Sequence, residues 1–359
     1  MWCWCFWMTN ISIVFLYLRT CMGQNFSAIF IFGDSLVDVG NNNYITSLAK
    51  ANYEPYGIDF GWPTGRFTNG RTITDILGHS FGFKSCPPPY LAPTTCGSVV
   101  LQGVNYASGA GGILAKSGAN YVGRISMDAQ LDHFAKTRLD IISITDAPAA
   151  RKLFATALFT VTMGSNDFIN NYFILPGPSN SVPPGTFIQT MISTFRRQLM
   201  RLYDMDARKI VVTNAPPIGC CPFEKDINLS LGQECVAFQN ILVQKYNSRL
   251  KRLLIELTTT LKGSTFIYAD LYHIFEDIIQ NYTSYDFENV NNGCCHMPGL
   301  HNGLSPCLPH ATICQDRSKY IFWDSFHVTE TTNLIIAKSM LDGDSNVISP
   351  TNIRTFSNT

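Results

Sequence analysis

Short apolar runs recur along this chain and, in its later half, alternate with stretches of helical periodicity. Runs rich in β-branched and aromatic side chains predict buried strands at residues 28–32, 104–107, 158–163, 210–213 and 265–269. Apolar side chains three or four positions apart predict two helices, one along Ile188, Met191, Phe195, Leu199 and Leu202 and one along Leu242, Tyr246, Leu250, Leu253, Leu257 and Leu261. Strands that alternate with helices favour crossover connections and a parallel sheet.

No internal repeat or low-complexity tract interrupts this pattern. The Pro- and Gly-rich stretches at 86–95 and 176–185 are too short to join separate domains. We therefore predict one α/β domain over residues 24–359, and we assign both helical stripes to core packing without a cofactor role.

The composition is that of a globular, weakly charged protein. Of 359 residues, 46% are apolar and 14% are charged, against roughly 25% charged in typical soluble domains. The 26 basic and 26 acidic side chains cancel, which argues against nucleic acid as a partner, since such proteins carry a basic stripe. Disorder is also excluded, because it requires low hydrophobicity and high net charge.

The N-terminal segment is set apart from the fold by its hydrophobicity. Residues 2–18 are nearly all apolar, which predicts a secretory signal over 1–23 that is cleaved near Gly23 and Gln24. Because no basic residue precedes this run and Arg19 follows it, an uncleaved anchor is the alternative. No later segment reaches the roughly 18 apolar residues of a membrane span, so we expect no stable span after cleavage. Three glycosylation sequons fit the same interpretation: Asn25, Asn228 and Asn281.

Twelve cysteines are present, and three of them fall in the predicted signal. The nine that remain are Cys86, Cys96, Cys220, Cys221, Cys235, Cys294, Cys295, Cys307 and Cys314. In an exported chain they predict up to four disulfides and one free thiol. The C-terminal cysteine cluster, residues 294–314, also contains three histidines. Its spacing matches no common zinc pair and an oxidising compartment favours disulfides, so we expect no metal.

Candidate catalytic residues follow directly on three of the predicted strands. The first strand leads into Ser35, the second into a glycine-rich turn at Gly109, and the third into Asn166. The carboxyl ends of parallel strands form the edge of the sheet at which ligands bind. Glycine lets a backbone N–H approach a reacting oxygen closely, and an asparagine amide supplies another donor, as a developing oxyanion requires. Each residue alone is typical of a turn or cap, but their recurrence after three strands indicates a site.

A base for Ser35 is available near the other end of the chain, where Asp324 and His327 stand three residues apart. One short loop holds both, so that the carboxylate orients the imidazole and stabilises the imidazolium after it takes the serine proton. For this segment by itself, the alternative is a helix N-cap aspartate with a surface histidine.

These residues lie in segments that resemble the plant GDSL esterase/lipase branch of the SGNH hydrolases, in that family's order and over nearly the whole chain after residue 23. The segments are FGDSLVDVGNN (32–42), GRFTNGR (65–71), GVNYASG (103–109), GSND (164–167), NAPPIGC (214–220) and WDSFH (323–327). The resemblance implies a flavodoxin-like, three-layer α/β/α sandwich with a mainly parallel sheet of about five strands. It also implies Ser35 as nucleophile and first oxyanion donor, Gly109 and Asn166 as the other donors, His327 as base and Asp324 as its partner.

The chain departs from the family pattern at three positions, none of which carries a catalytic atom. Val328 stands where the family usually has proline, His296 stands where glycine follows the cysteine pair, and Cys221 is an additional cysteine after Cys220. Because the resemblance does not require Cys221, we expect it to be the free thiol. Cys220 and Cys235 flank a short loop and are expected to pair.

The other pairings are less determined by the sequence. The C-terminal cysteine cluster is expected to close within itself in one of three ways. Cys86 and Cys96 are then the remaining pair.

A second candidate nucleophile, Ser80, lies in the segment GHSFG at 78–82, which matches the nucleophile elbow of the α/β-hydrolases. That motif requires a strand before it and a helix after it. Here a helical pattern precedes and a proline-rich run follows, so we expect a helix stop at Gly78 or Gly82 instead.

The residues and the resemblance together predict a secreted serine hydrolase that cleaves carboxylic esters through an acyl-enzyme, without a cofactor. Three substrate classes stay open: lipid acyl esters, acetylated cell-wall polysaccharide, and small phenolic or terpenoid esters. The alternative is a catalytically idle binding or accessory protein on the same scaffold.

Overall fold

A five-stranded sheet forms the centre of the fold in the computed structural model, which describes residues 26–173, 182–230 and 234–359. The strands in chain order are β1 (Ile29–Gly33), β2 (Leu158–Thr162), β3 (Lys209–Thr213), β4 (Thr265–Ala269), β5 (Asn289–Gly293), β6 (Tyr320–Phe322) and β7 (Ile348–Ser349). In the central sheet β1 to β4 are parallel neighbours, and β7 pairs antiparallel with β4. A small second sheet pairs β5 with β6 in parallel. The mainly parallel sheet of about five strands is thus confirmed.

Helices cover both faces of the central sheet. They are α1 (Ile73–Ser80), α2 (Met127–Ile144), α3 (Ala147–Thr156), α4 (Ser165–Asp167), α5 (Pro184–Asp204), α6 (Pro222–Ile227), α7 (Ala237–Thr260), α8 (Leu271–Gln280), α9 (Glu330–Asp342) and α10 (Ile353–Ser357). The two predicted apolar stripes lie along α5 and α7, and they are buried in the core as expected.

The alternation of side chains along each strand explains the three layers. In β1, Phe30 and Phe32 point into a core shared with α2, α3, α5 and α7, whereas Ile29 and Ile31 point into a second core shared with α1, α8, α9 and α10. Because both faces are covered, the strands are buried along their length, as parallel sheets require.

The predicted strand at 104–107 is wrong as a regular strand. Only Asn105 forms bridges, to Ile31 and to Pro89, although the segment runs beside β1 with hydrogen bonds such as Tyr106 N–H to the Ile31 carbonyl (2.7 Å). Gly103 precedes it with φ +112°, and a Cβ there would lie 1.9 Å from the Ile29 oxygen. The ladder is interrupted because the Gly33 N–H of β1 donates to the Gln130 side chain (2.9 Å) and not to this segment. The fifth strand is β7, which is too short to show periodicity in the sequence.

Three disulfides are present among the described residues: Cys220–Cys235, Cys294–Cys314 and Cys295–Cys307. They confirm the first expected pairing and resolve the C-terminal cysteine cluster into two bridges. The expected Cys86–Cys96 bridge is wrong, since both thiols are free, as is Cys221. Cys86 lies against the buried ion pair of Arg66 and Asp75, while Cys96 Sγ lies 3.7 Å from the Pro93 carbonyl, so the two thiols face different neighbours.

Two expectations about the N-terminus lie outside the described residues: the signal at 1–23 and the sequon at Asn25. Among the residues that are described, no helix is long and apolar enough to cross a membrane.

Candidate active site

Ser35 stands two residues beyond the carboxyl end of β1. The chain turns at Gly33, where a Cβ would lie 2.7 Å from the Thr162 oxygen of the neighbouring strand. Gln130 on α2 holds this turn by accepting from the Gly33 N–H (2.9 Å) and donating to its carbonyl (2.8 Å). Ser35 is half-buried, and its hydroxyl makes no hydrogen bond to any described residue. The turn therefore presents an unengaged hydroxyl at the edge of the sheet.

Asp324 and His327 occupy one tight turn between β6 and α9. His327 Nδ1 lies 2.8 and 2.9 Å from the two carboxylate oxygens of Asp324. The same carboxylate accepts the N–H groups of Phe326 (2.9 Å) and His327 (2.8 Å), which explains why a spacing of three residues suffices. With Nδ1 donating to the carboxylate, Nε2 is the acceptor, as a general base requires.

The electrostatics of this pair favour an ionised aspartate. Asp324 is fully buried, and burial alone raises the pKa of a carboxyl group. His327, the hydroxyl of Tyr56 and the Phe326 N–H outweigh burial and hold the pKa of Asp324 below its ordinary value. The aspartate is thus a carboxylate when the imidazole receives a proton.

Ser35 and His327 line the same crevice, which opens to solvent. Most of its wall is apolar, with side chains that include Leu36, Ile169, Ile218, Phe275, Phe322 and Phe326. A hydroxyl, an imidazole–carboxylate pair and an apolar wall thus belong to one crevice.

Asn166 lies in the same crevice, beyond the end of β2. Gly164, with φ +133°, makes the turn that leads to it. The Asn166 amide donates from Nδ2 to the Gly111 carbonyl (2.9 Å) and accepts at Oδ1 from Asn170 Nδ2 (2.6 Å). These two bonds determine which way round the amide lies, and they leave one Nδ2 hydrogen uncommitted.

Gly109 has an unexpected neighbour. Its N–H donates to Asp38 Oδ2 at 2.9 Å, and it is Ala110, with φ +65°, that lines the crevice. Asp38 is buried and also accepts from the N–H groups of Gly40 (2.7 Å) and Asn41 (2.8 Å). The Gly109 N–H is therefore already engaged, and its part in an oxyanion hole stays a prediction.

Three buried aspartates surround the strand ends. Burial raises the pKa of Asp34 to about 7 and the pKa values of Asp38 and Asp167 to about 6, although backbone N–H groups oppose each shift. Asp34 Oδ2 has no hydrogen-bond partner, and the residue lines the crevice beside Ser35. Three carboxyl groups with raised pKa values therefore lie around the strand ends, and one of them, Asp34, lines the crevice.

The sequence does not predict the roles of four residues at the site: Tyr56, Gln130, Asn170 and Asp38. Tyr56 Oη donates to Asp324 Oδ2 at 2.6 Å across 268 positions of the chain. No local pattern marks such a contact, because it depends on how distant segments pack. Asp38 lies inside the segment that carried the resemblance, but its partner Gly109 is remote in sequence.

The competing serine is part of a helix end. Ser80 is the last residue of α1 and donates to the Ile76 carbonyl (2.9 Å), and Gly82 follows with φ +79°. The expected helix stop at Gly82 is confirmed.

The described sequons and the histidine-containing cluster complete the predicted sites. Asn228 and Asn281 are exposed, with side-chain amides that donate to Glu224 and Asp277. The four cysteines of the C-terminal cysteine cluster are held in disulfides. No group of three or more His, Cys, Asp or Glu side chains in the described ranges could hold a metal ion.

Comparison with known proteins places this geometry in context. The family described as GDSL-like lipase/acylhydrolase matches residues 29–340. One GDSL esterase/lipase of Arabidopsis thaliana is 53% identical over 351 residues, which cover 97% of this chain and 95% of that protein. A second is 48% identical over 336 residues, covering 91% and 90%. Arabidopsis GDSL esterase/lipase 7 is 42% identical over 334 residues, again covering 91% and 90%.

Proposed function

The chain belongs to the GDSL-like lipase/acylhydrolase family and is a carboxylic ester hydrolase, and we propose that it works through Ser35 as nucleophile, His327 as general base and Asp324 as the partner of His327. The observation that carries the proposal is the shared crevice: the buried Asp324–His327 pair and the unengaged hydroxyl of Ser35 meet in one apolar cleft. The alternative of an idle binding protein gives no reason for this pair to be buried beside a free hydroxyl.

The chemistry follows from the donors and acceptors present. Ser35 Oγ attacks the acyl carbon while its proton passes to His327 Nε2, and the carbonyl electrons move onto oxygen. The carbonyl then re-forms, the alcohol leaves with the proton from His327, and an acyl-Ser35 ester remains. Water then attacks the acyl-Ser35 ester while His327 takes its proton. His327 returns that proton to Ser35 Oγ as the acid is released, which restores Ser35.

The oxyanion requires donors aimed at the crevice. We assign the Ser35 N–H, which has no partner among the described residues, and the uncommitted Nδ2 hydrogen of Asn166 to this role. Gly109 stays a candidate third donor, although its N–H would have to share its hydrogen between Asp38 and the oxyanion.

The substrate we propose is an ester with an apolar acyl chain, either of a lipid or of an acylated plant metabolite. The apolar wall supports this choice, because it offers area for a hydrocarbon and few polar groups for a sugar. An acetylated polysaccharide is the weaker candidate on the same ground. We also propose that the protein is secreted and carries glycans at Asn228 and Asn281, an assignment supported by the apolar N-terminal run, the three disulfides and the exposure of both sequons.

The test combines labelling with turnover. Purified protein is treated with a fluorophosphonate, which forms a stable bond with activated serines, and the modified peptide is mapped by mass spectrometry. We expect label on Ser35, loss of label in His327→Ala, and hydrolysis of p-nitrophenyl esters that is faster for medium acyl chains than for acetate. A folded protein that neither labels nor hydrolyses any ester would favour the idle binding protein, and label on another serine would overturn the assignment.

A further inference from the structure

The carboxylate of Asp324 has a second side-chain donor besides the imidazole. Tyr56 Oη donates to Asp324 Oδ2 at 2.6 Å, whereas the backbone N–H groups of the turn donate to Oδ1. Tyr56 is 1% exposed and Asp324 is fully buried, so water does not replace this bond. Each oxygen of the carboxylate thus has a donor other than the imidazole.

The ring of Tyr56 is itself fixed. It packs edge-on against Trp323 (6.2 Å between centroids), Phe67 (6.1 Å) and Tyr53 (5.5 Å). Phe67 in turn lies 5.0 Å from the ring of His327. One aromatic cluster therefore contacts both members of the Asp–His pair. Packing within this cluster fixes the position of the Tyr56 hydroxyl against the carboxylate.

The phenol also has the right protonation state for a donor. Burial, and next the charge of Asp324, raise the pKa of Tyr56 far above its ordinary value, so the hydroxyl keeps its proton wherever the protein is folded. Without the phenol, Asp324 Oδ2 would keep only its 2.9 Å contact with His327 Nδ1. Losing a donor is costly for a buried carboxylate, and rotation of the carboxylate or its protonation would relieve the cost. Either change would disturb the hydrogen bond to His327 Nδ1.

We propose that Tyr56 is a positioning residue for ester hydrolysis: its phenol holds the Asp324 carboxylate in the orientation that directs His327 towards Ser35. The proposal rests on the proposed triad. The other titratable groups that face the pair are Tyr53 and Tyr121, which interact with the Asp324 charge, and Asp34, which interacts with His327. None of these three has a hydrogen bond to Asp324, which distinguishes Tyr56 from them.

The experiment compares Tyr56→Phe with Tyr53→Phe. Tyr53 is the matched control, because it belongs to the same aromatic cluster but donates to the Cys307 carbonyl (2.8 Å) and not to Asp324. Activity on a p-nitrophenyl ester is measured from about pH 5 to about pH 9, together with the melting temperature of each variant.

For Tyr56→Phe we expect kcat to fall about 10-fold, as for the loss of one hydrogen bond to a charged group, while KM stays within about two-fold. The acid limb of the kcat/KM profile should move to higher pH, because a carboxylate without the phenol donor holds the proton on His327 more tightly. Tyr53→Phe should keep the wild-type kcat and profile. A merely structural tyrosine would lower the melting temperature without moving the profile.

A Tyr56→Phe variant with wild-type kcat and profile would overturn the proposal, and so would a change carried by KM alone. If that variant does not fold, 3-fluorotyrosine at position 56 keeps the ring and strengthens the donor. An unchanged pH profile in that protein would also overturn the proposal. Ser35→Ala and His327→Ala are assayed in parallel, and their activity tests the triad itself. If both variants are inactive but Tyr56→Phe behaves like wild type, the triad stands and only the positioning role of Tyr56 is rejected.

Discussion

The backbone N–H of Gly109 donates to the carboxylate of Asp38 across 71 positions of the chain. Through this bond, and those from Gly40 and Asn41, one buried side chain joins the loop that carries Ser35 to the loop that carries Ala110. The relative position of Ser35 and Ala110, which both line the crevice, thus depends on a residue that does not line it.

This relationship predicts the effect of Asp38→Asn. The asparagine amide keeps one acceptor, but its NH₂ group would face one of three backbone N–H donors and repel it. We expect a lower melting temperature and a kcat reduced by about 10-fold or more, with less effect on KM, because the loops separate. Both quantities are measured on the same preparation. Full activity at unchanged stability would show that the two loops hold their positions without this carboxylate.

Ser35→Ala is predicted to abolish ester hydrolysis, with a loss of about 10⁴-fold or more, since only the oxyanion donors and binding remain. Ser80→Ala is the control, and it should stay within a few-fold of wild type, because Ser80 only closes the end of α1. Steady-state rates with a p-nitrophenyl ester test both variants. A folded but inactive Ser80→Ala protein would contradict the choice of nucleophile.

Asn166→Ala is predicted to lower kcat by about 10²-fold with a smaller change in KM, as expected for a donor that acts on the transition state. Asn170→Ala should have a weaker effect of the same kind, because the Asn170 amide orients that of Asn166 through its hydrogen bond to Oδ1. The split between kcat and KM is the measurement. A rise in KM alone would indicate that Asn166 binds the ground state of the substrate.

Glu224 predicts how stability depends on pH away from the crevice. This buried residue accepts from Gln239, Oε1 has no partner, and burial raises the pKa of its carboxyl from 4.5 to about 7. Because the folded protein holds this proton more tightly than the unfolded chain, the contribution is complete below about pH 4.5 and is lost as pH rises through about 7.

Glu224→Gln removes that titration. We expect the variant to melt a few degrees above wild type at about pH 7.5 and close to it at about pH 5. Lys225, whose pKa burial lowers to about 8, is present in both proteins, so its titration cancels in the comparison. Glu256→Gln is the control, since that exposed carboxylate only pairs with Arg196 at the surface and such pairs contribute little. A variant with the wild-type pH dependence would contradict the buried proton.

The cysteines predict a specific pattern of reactivity. In native protein, an alkylating reagent should modify exposed Cys96 first, Cys86 slowly, and Cys221 only after unfolding. Cys86 reacts slowly because burial raises the pKa of its thiol to about 12.

The double change Cys294→Ser and Cys314→Ser opens a loop of 20 residues, worth ~3 kcal/mol by the chain-entropy argument.

We expect that double variant to lose activity as well as stability, because the Cys294 N–H bonds the Phe322 carbonyl (3.0 Å) just before Asp324. Peptide mapping tests the order in which the cysteines are alkylated, and thermal melts with activity assays test the double variant. A chelator should change neither the melting temperature nor the activity.

Local patterns in the sequence determined much of this protein. The four parallel strands, the stripes of α5 and α7, and the arrival of Ser35 and Asn166 at one edge of the sheet follow from periodicity and from the geometry of parallel strands. The Asp324–His327 contact was predictable for the same reason, since both residues belong to one turn and the carboxylate bonds the backbone within it.

Only the tertiary structure decided the contacts between distant segments. Tyr56 bonds Asp324 across 268 positions, and Asp38 bonds Gly109 across 71. Cys86 lies beside the Arg66–Asp75 ion pair and not beside Cys96. Periodicity reports which face of an element is buried, but it carries no information on which remote side chain meets it there. That choice is made by the packing of the whole core, in which most buried donors and acceptors find a partner.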